Sequence, residues 1–413
     1  MKFVKKFDNG LRLVVDKIEG LFSVSAGVLV KTGSVNETDN ENGISHFIEH
    51  MLFKGTEKRS AFEISDYIDR IGAQINAFTS KEMTCYYTKS TSEHFEDSLE
   101  VLSDIFFNSV FDEKEMEREK GVVIEEINMC EDTPEEVCLD LISTAYYGNE
   151  GFGRTILGSI ENINSFTVND IKKYMNEYYT AENVVISLAG NVDFDTAVVV
   201  VEKLFAEKFD KFESRSQFMT KNVEYKHLYR TKQIEQSHIA LAMTGVDANS
   251  NFLDALNIAN VVFGGGMSSR LFQKVREELG LAYSVYSYLS SYKDQGIIEI
   301  YAGVNNDKRD HAVSAILSEI DRFNKSGVTM QEFLRGKEQI KSAFIMGRES
   351  TSSQMLLHGR YMTLLDKELD FNERLKRLDN ITLEEVNSVI KEFYTGEKIA
   401  SATVGSIESP LKI

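Results

Sequence analysis

The sequence predicts a duplicated chain, two similar halves that each mix helices with strands, and three observations carry that prediction. The first is a weak repeat in register: FTVNDIKKYMNEYYTAENVVISLAGNV (166–192) returns 215 residues later as ITLEEVNSVIKEFYTGEKIASATVGSI (381–407). Thr167 pairs with Thr382, Tyr179 with Tyr394, Thr180 with Thr395 and Gly190 with Gly405, without a gap. Each copy reads as a capped amphipathic helix ending at Tyr-Thr, followed by an apolar strand closed by glycine. The second is that comparable strands, FSVSAGVLVKTGS and SHIALAMTGVD, open the two halves. The third is composition. A chain of 413 residues, 42% hydrophobic and 27% charged, can bury more than one core of ordinary soluble type. A period this long does not belong to a solenoid.

The elements follow in order. The opening MKFVKKFDNGLRLVVDKIEG has lysine clusters but no apolar run of signal-peptide length, and no stretch of about twenty apolar residues follows. Lys and Arg number 46 against 65 Asp and Glu, a net charge of −19, which argues against nucleic acid and anionic membranes as partners. Cys85, Cys130 and Cys138 are odd in number and lack C-x-x-C spacing, so they are expected as buried thiols in a reducing compartment. The expected location is the cytoplasm.

Next comes GISHFIEHMLFKGT, which spends two of only seven histidines four residues apart. On a helix, His46 and His50 project from one side, with Glu49 three residues after His46. Ile44, Phe47, Ile48, Met51 and Leu52 supply the apolar face. Two neutral imidazoles on one helix suit Zn²⁺, and a neighbouring carboxylate can act as base on a water whose pKa the metal lowers. The order H-x-x-E-H is that of the inverzincins. The plain alternative is a solvated polar helix face.

NAFTSKEMTCYY (76–87) reads as an amphipathic hairpin. In FDEKEMEREKGVVIEEINMCEDTPEEV, Asp112 can cap a helix, with Glu115 completing a capping-box-like start, and the helix runs to about Cys130. Glu119 and Glu126, seven apart, share a face, whereas Glu125 points about 100° from Glu126. Spacing alone does not choose a third metal ligand among these three. The charged stretch 207–227 joins the halves, giving an N-terminal zinc-binding domain over 1–215 and a homologous domain without the zinc motif over 216–413. Where the first half has its H-x-x-E-H, the second has Gly264-Gly265-Gly266 and the helix of GGGMSSRLFQKVREELGLAYSVYSY.

Together these motifs resemble the pitrilysin family of zinc endopeptidases, and the length is similar to its mitochondrial-processing-peptidase-type branch. The resemblance implies an α+β fold of two similar halves, each a mainly antiparallel sheet flanked by helices, facing each other as a clamshell. In the family a ligand glutamate follows the helix motif by about 75 residues in a context like VIxEEI, which falls on Glu126 of VVIEEINM. The resemblance thus implies one Zn²⁺ per chain held by His46, His50 and Glu126, with Glu119 orienting a ligand histidine and Glu49 as general base. It implies that Asn76, Ala77 and Phe78 offer backbone groups to an extended peptide, and that Arg276 and Tyr283 contact the substrate near the cleavage point. The long glycine-rich loop of the noncatalytic processing subunit is absent, as is any mitochondrial presequence context. That departure favours a bacterial-type peptidase of general peptides. Peptides are the expected partners, with a homodimer as an open option. The competing expectation is a noncatalytic peptide-binding or scaffold subunit; such relatives usually lose a ligand or the base, and this chain keeps His46, Glu49, His50 and Glu126. A nucleotide module built on the GGG run lacks a phosphate-binding lysine or G-x-G-x-x-G context.

Overall fold

The two repeated segments fold alike. In this computed structural model, which describes residues 2–209, 223–411 and 413, Thr167 and Thr382 each cap a helix. The threonine hydroxyl accepts the N–H three residues on, and the carboxylate there (Asp170, Glu385) accepts the threonine's own amide, a reciprocal capping box. The helices Val168–Tyr178 and Leu383–Phe393 stop at Tyr179 and Tyr394 and lead into fully buried strands. The joining stretch 207–227 and the 215/216 division lie largely outside the described residues.

The first sheet contains β1 (Lys2–Lys6), β2 (Arg12–Lys17), β3 (Ser23–Val30), β4 (Gln74–Thr79), β5 (Thr84–Thr91) and β6 (Val184–Gly190), in the order β1-β2-β6-β3-β5-β4. The second contains β7 (His227–Thr231), β8 (Gln236–Thr244), β9 (Ala282–Ser291), β10 (Gly296–Asn305) and β11 (Ala400–Gly405), in the order β7-β11-β8-β10-β9. With β1 set aside, both sheets run first, last, second, fourth, third. One pair in each is parallel, β2 with β6 and β7 with β11, and every other pair is antiparallel. The expected α+β duplication, with mainly antiparallel sheets flanked by helices, is what the chain adopts.

Packing divides the chain into two compact units that are not contiguous in sequence. The first comprises the described residues within Met1–Ile127, Thr155–Phe218 and Met346–Leu369; the second, those within Asn128–Arg154, Met219–Ile345 and Asp370–Ile413. In the first unit one sheet face meets the main core, through residues such as Leu13, Val28 and Ile186 against Phe47, Leu99 and Ile105. The other face is covered by the helix Thr351–Leu365, drawn from late in the chain. Met355 packs there with Leu29, Cys85 and Ala189, and Met362 with Val14 and Val185. Ser187 donates to the Met355 carbonyl (2.7 Å), and Arg348 pairs with the buried Asp16. Burying each methionine is worth about 1.5–3 kcal/mol.

The second unit is built the same way. Ile239, Leu241, Ile298 and Ile300 face its main core. An early helix, Pro134–Tyr147, covers the opposite face, where the Cys138 thiol donates to the His238 carbonyl (3.3 Å) and the Tyr286 hydroxyl to Glu135 (2.6 Å). With both faces covered, β6 and β11 are buried along their whole length, which is why they read as apolar runs without alternation. Cys85 and Cys138 are buried free thiols as expected, whereas Cys130 is only half-buried. Among the described residues no helix is long and apolar enough to cross a membrane.

Candidate metal centre

The helix Ile44–Leu52 has nine residues, too few to be stable alone, so packing must hold it. Ile44, Phe47, Ile48, Met51 and Leu52 are all at most 1% exposed, which fixes the direction of the face carrying His46, Glu49 and His50. Its start needs a glycine. Gly43 has φ +99°, and a Cβ there would lie 2.6 Å from the Leu157 carbonyl oxygen. The capping that Gly43 cannot supply comes from Glu37, a buried carboxylate that accepts the N–H groups of Gly43 (2.8 Å) and Ser45 (2.9 Å). A negative group is favoured at a helix N-terminus.

The partner helix is Glu113–Glu131. Asp112 caps it by accepting the N–H groups of Lys114 (2.9 Å) and Glu115 (3.1 Å), while the Glu115 carboxylate pairs with Arg118 instead of closing a capping box. Met116, Val123 and Ile127 are buried. Glu119 and Glu126 meet the histidine helix, and Glu125 is exposed. Glu126 Oε2 stands 3.4 Å from His50 Nε2 and 3.7 Å from His46 Nε2. The three donor atoms all lie within 4.8 Å of one another, and no other such group occurs among the described residues. Two imidazole nitrogens and a carboxylate oxygen that converge in this way form a donor set that fits zinc. Glu119 Oε1 sits 2.8 Å from His50 Nδ1, which turns Nε2 toward the other donors, and its Oε2 is held by Lys54 (2.6 Å).

Electrostatics differ across the site. Burial, followed by the adjacent His50, pulls His46 well below the usual imidazole range, so it is neutral at pH 7. Burial also pulls His50 down, but hydrogen bonds to Glu119 and Glu126 outweigh it and raise the group to about 9. In the metal-free protein His50 is therefore an imidazolium, whose proton a metal must displace. Glu126 is held low first by its hydrogen bond with His50. Burial pushes Glu119 up, yet His50 and Lys54 together hold it low. Glu49 is raised by burial, partly offset by a hydrogen bond from the Thr79 hydroxyl, and a carboxylate raised toward the working pH is better matched to base catalysis.

Asn76, Ala77 and Phe78 lie on β4, the edge of the first sheet, opposite Tyr87, Tyr86 and Cys85 of β5. An edge strand can take an added peptide strand. The Ala77 N–H is held by the Asn76 side-chain oxygen (2.8 Å), so a peptide using that donor must displace the carboxamide.

In the second unit the structure brings Arg276 and Tyr283 together. Gly264 ends the helix Leu253–Gly264 against β9, where a Cβ would lie 2.6 Å from the Ser287 nitrogen. The following segment, Phe272–Glu278, winds as a π-helix and not as the ordinary helix its pattern suggests. The Arg276 guanidinium is sandwiched between the rings of Phe272 (4.6 Å) and Tyr283 (4.9 Å). Tyr283 is 80% exposed, so its ring is not part of the core.

Sequence reasoning missed Glu37, Lys54, Thr79 and Phe272. Thr79 directly follows Asn76, Ala77 and Phe78, and Lys54 lies four residues after His50. The remaining histidines behave as structural or surface groups: His94 pairs with Asp97, His227 with Ser401, His238 with Tyr301 and His358 with Asp16, and His311 is exposed.

Residues 14–160 match the family model described as insulinase (peptidase family M16), and residues 165–340 match that of the peptidase M16 inactive domain. The uncharacterized zinc protease YmxG of Bacillus subtilis is 43% identical over 94% of this chain and 94% of its own length. An uncharacterized zinc protease of Rickettsia felis is 33% identical over 98% of this chain and 97% of its own. Among solved structures, a protease from Helicobacter pylori matches with a TM-score of 0.92 at 23% identity, over 98% of this chain and 99% of that one. A peptidase M16 inactive domain structure from Pseudomonas fluorescens matches with a TM-score of 0.91 at 18% identity, over 100% of both chains. At these identities the structural likeness bears on the fold alone.

Proposed function

The chain belongs to the M16 peptidase family, and on that premise we propose that it is a zinc-dependent metalloendopeptidase acting on peptides or unfolded segments bound as an added strand along β4. The observation that carries the reading is the convergence of His46, His50 and Glu126, with Glu49 beside them and an edge strand alongside. A zinc ion held by those three residues would supply Lewis acidity to the scissile carbonyl and lower the pKa of water. Glu119, braced by Lys54, keeps His50 in the tautomer and orientation a ligand needs. Glu49 takes the proton of the attacking water and passes it to the leaving amine. The backbone of Asn76, Ala77 and Phe78 aligns the peptide. By family resemblance, the second half closes a chamber over that peptide, with Tyr283 donating to the developing oxyanion and Arg276 holding the substrate backbone. A cytoplasmic location belongs to the same proposal.

The test is metal content together with turnover of a mixture of short fluorogenic peptides. Purified protein should carry about one zinc per chain. Chelation should abolish cleavage, and added zinc should restore it. A second reading, a noncatalytic peptide-binding or scaffold subunit, is left open by the inactive-domain match over residues 165–340. Zinc-loaded protein that binds peptides without cleaving them would support it.

The role given to Tyr283 has its own test. Removing one oxyanion donor typically costs about 2.7–4 kcal/mol in the barrier. Tyr283→Phe should therefore lower turnover by roughly 10²–10³-fold. The ring is exposed and its stacking on Arg276 needs no hydroxyl, so zinc content and melting temperature should hold. Unchanged turnover per zinc-loaded molecule would strike Tyr283 from the active site.

A further inference from the structure

Among the described residues, one side chain hydrogen-bonds Glu49: the Thr79 hydroxyl, 2.6 Å from Oε2. Strand parity puts it there. On β4, Ile75 and Ala77 pack against the main core of the unit, the side on which the helix Ile44–Leu52 lies, and Thr79 continues their series. Phe78 points the other way, to Tyr87 and the cluster around Leu29 and Cys85. The backbone at Thr79 is fixed independently of its hydroxyl. It pairs with Thr84 at the end of the ladder, and the turn beyond is closed by Ser80 N–H donating to the Met83 carbonyl (2.9 Å). Threonine is stiff about χ1, so a fixed backbone leaves its hydroxyl few directions.

We propose that Thr79 is a positioning residue for Glu49, pinning Oε2 so that Oε1 is presented to the reacting water. The strand that would receive the peptide then also sets the orientation of the base, so both partners of the proton transfer are referred to one element. A misplacement of about 1 Å in such a geometry can cost about 10²-fold. The inference rests on the reading of Glu49 as general base, and the experiment separates the two.

Thr79→Val keeps the shape and removes the hydroxyl; Thr79→Ser keeps the hydroxyl and removes the methyl. Thr79→Val should lower kcat roughly 10- to 100-fold, with KM and zinc content unchanged. Thr79→Ser should recover most of the loss. In crystals of Thr79→Val the Glu49 side chain should spread over more than one rotamer, a readout independent of activity. Thr79→Val with kcat within twofold of the parent and a single Glu49 rotamer would overturn the inference. So would equal losses in Val and Ser, which would assign the effect to the methyl group. If the Val variant fails to fold, the Ser variant with an Ala variant beside it poses the same question: Ser active and Ala impaired supports the hydroxyl, and equal activity overturns it. A Glu49→Gln control that stays active would remove the base assignment itself, and Thr79 with it.

Discussion

Glu49→Gln is expected to bind zinc as the parent does and to cleave peptides roughly 10²–10⁴ times more slowly, the usual worth of general-base catalysis. The two halves of that expectation come from different parts of the geometry. The convergent donors are His46, His50 and Glu126; Glu49 is turned to Thr79 and is not one of them. The amide has the carboxylate's shape and its oxygen can still accept from Thr79, so the helix and the ligands are left in place. What it lacks is basicity. Zinc content measured by elemental analysis, with turnover expressed per zinc, reads both. Near-normal turnover by a zinc-replete Glu49→Gln protein would remove the mechanism.

The second large effect concerns the ligands. His46→Ala or Glu126→Gln should reduce zinc from about one per chain to almost none, because either leaves two protein donors where a catalytic site needs three. Glu125→Gln should change nothing, since Glu125 is exposed and lies outside the donor cluster. The opposite pattern, with Glu125→Gln empty and Glu126→Gln loaded, would show the register to be wrong. The pH dependence of binding follows from His50. Its imidazolium must release a proton to the solvent before it can ligate, so zinc affinity should climb as pH rises toward about 9. The metal-free protein should show the converse. A folded-state pKa raised to about 9 contributes stability that is fully present below about 6.5 and is lost as pH rises through 9. Calorimetric melts of metal-free protein between pH 6 and 10 would show the decline, and His50→Gln should flatten it.

Much of the site could be read in the sequence because it is written in helical period. His46 and His50 share a face with Glu49 by spacing, and so do Glu119 and Glu126. What period could not do was choose among Glu119, Glu125 and Glu126, since that depends on which face meets the other helix. The duplication was legible through Thr167 and Thr382, whose capping boxes form as the repeat suggests. Lys54 and Thr79 were not legible, because each acts through a contact made only when separate elements meet. The π-helix over Phe272–Glu278 escaped for another reason: its composition is that of an ordinary helix, and only the hydrogen-bond step differs. The Glu115 carboxylate shows local competition, with Arg118 taking the group that the capping pattern reserved for Asp112.

The late helix Thr351–Leu365 lying on the first sheet has a consequence for how the chain comes into being. A ribosome making this protein delivers all six strands of that sheet by residue 190, yet Met355 and Met362 emerge only near the end of synthesis. From residue 190 until that helix is made, therefore, Val14, Leu29, Cys85 and Val185 have no cover on that face, and such a surface is prone to aggregation. A released chain truncated near residue 345 should present that face to chaperones, whereas one carried past residue 369 should cover it while its second sheet still lacks β11. The same dependence governs a gene split after codon 215. Each product would lack a helix that the other encodes, so the two polypeptides should be soluble only when made in the same cell.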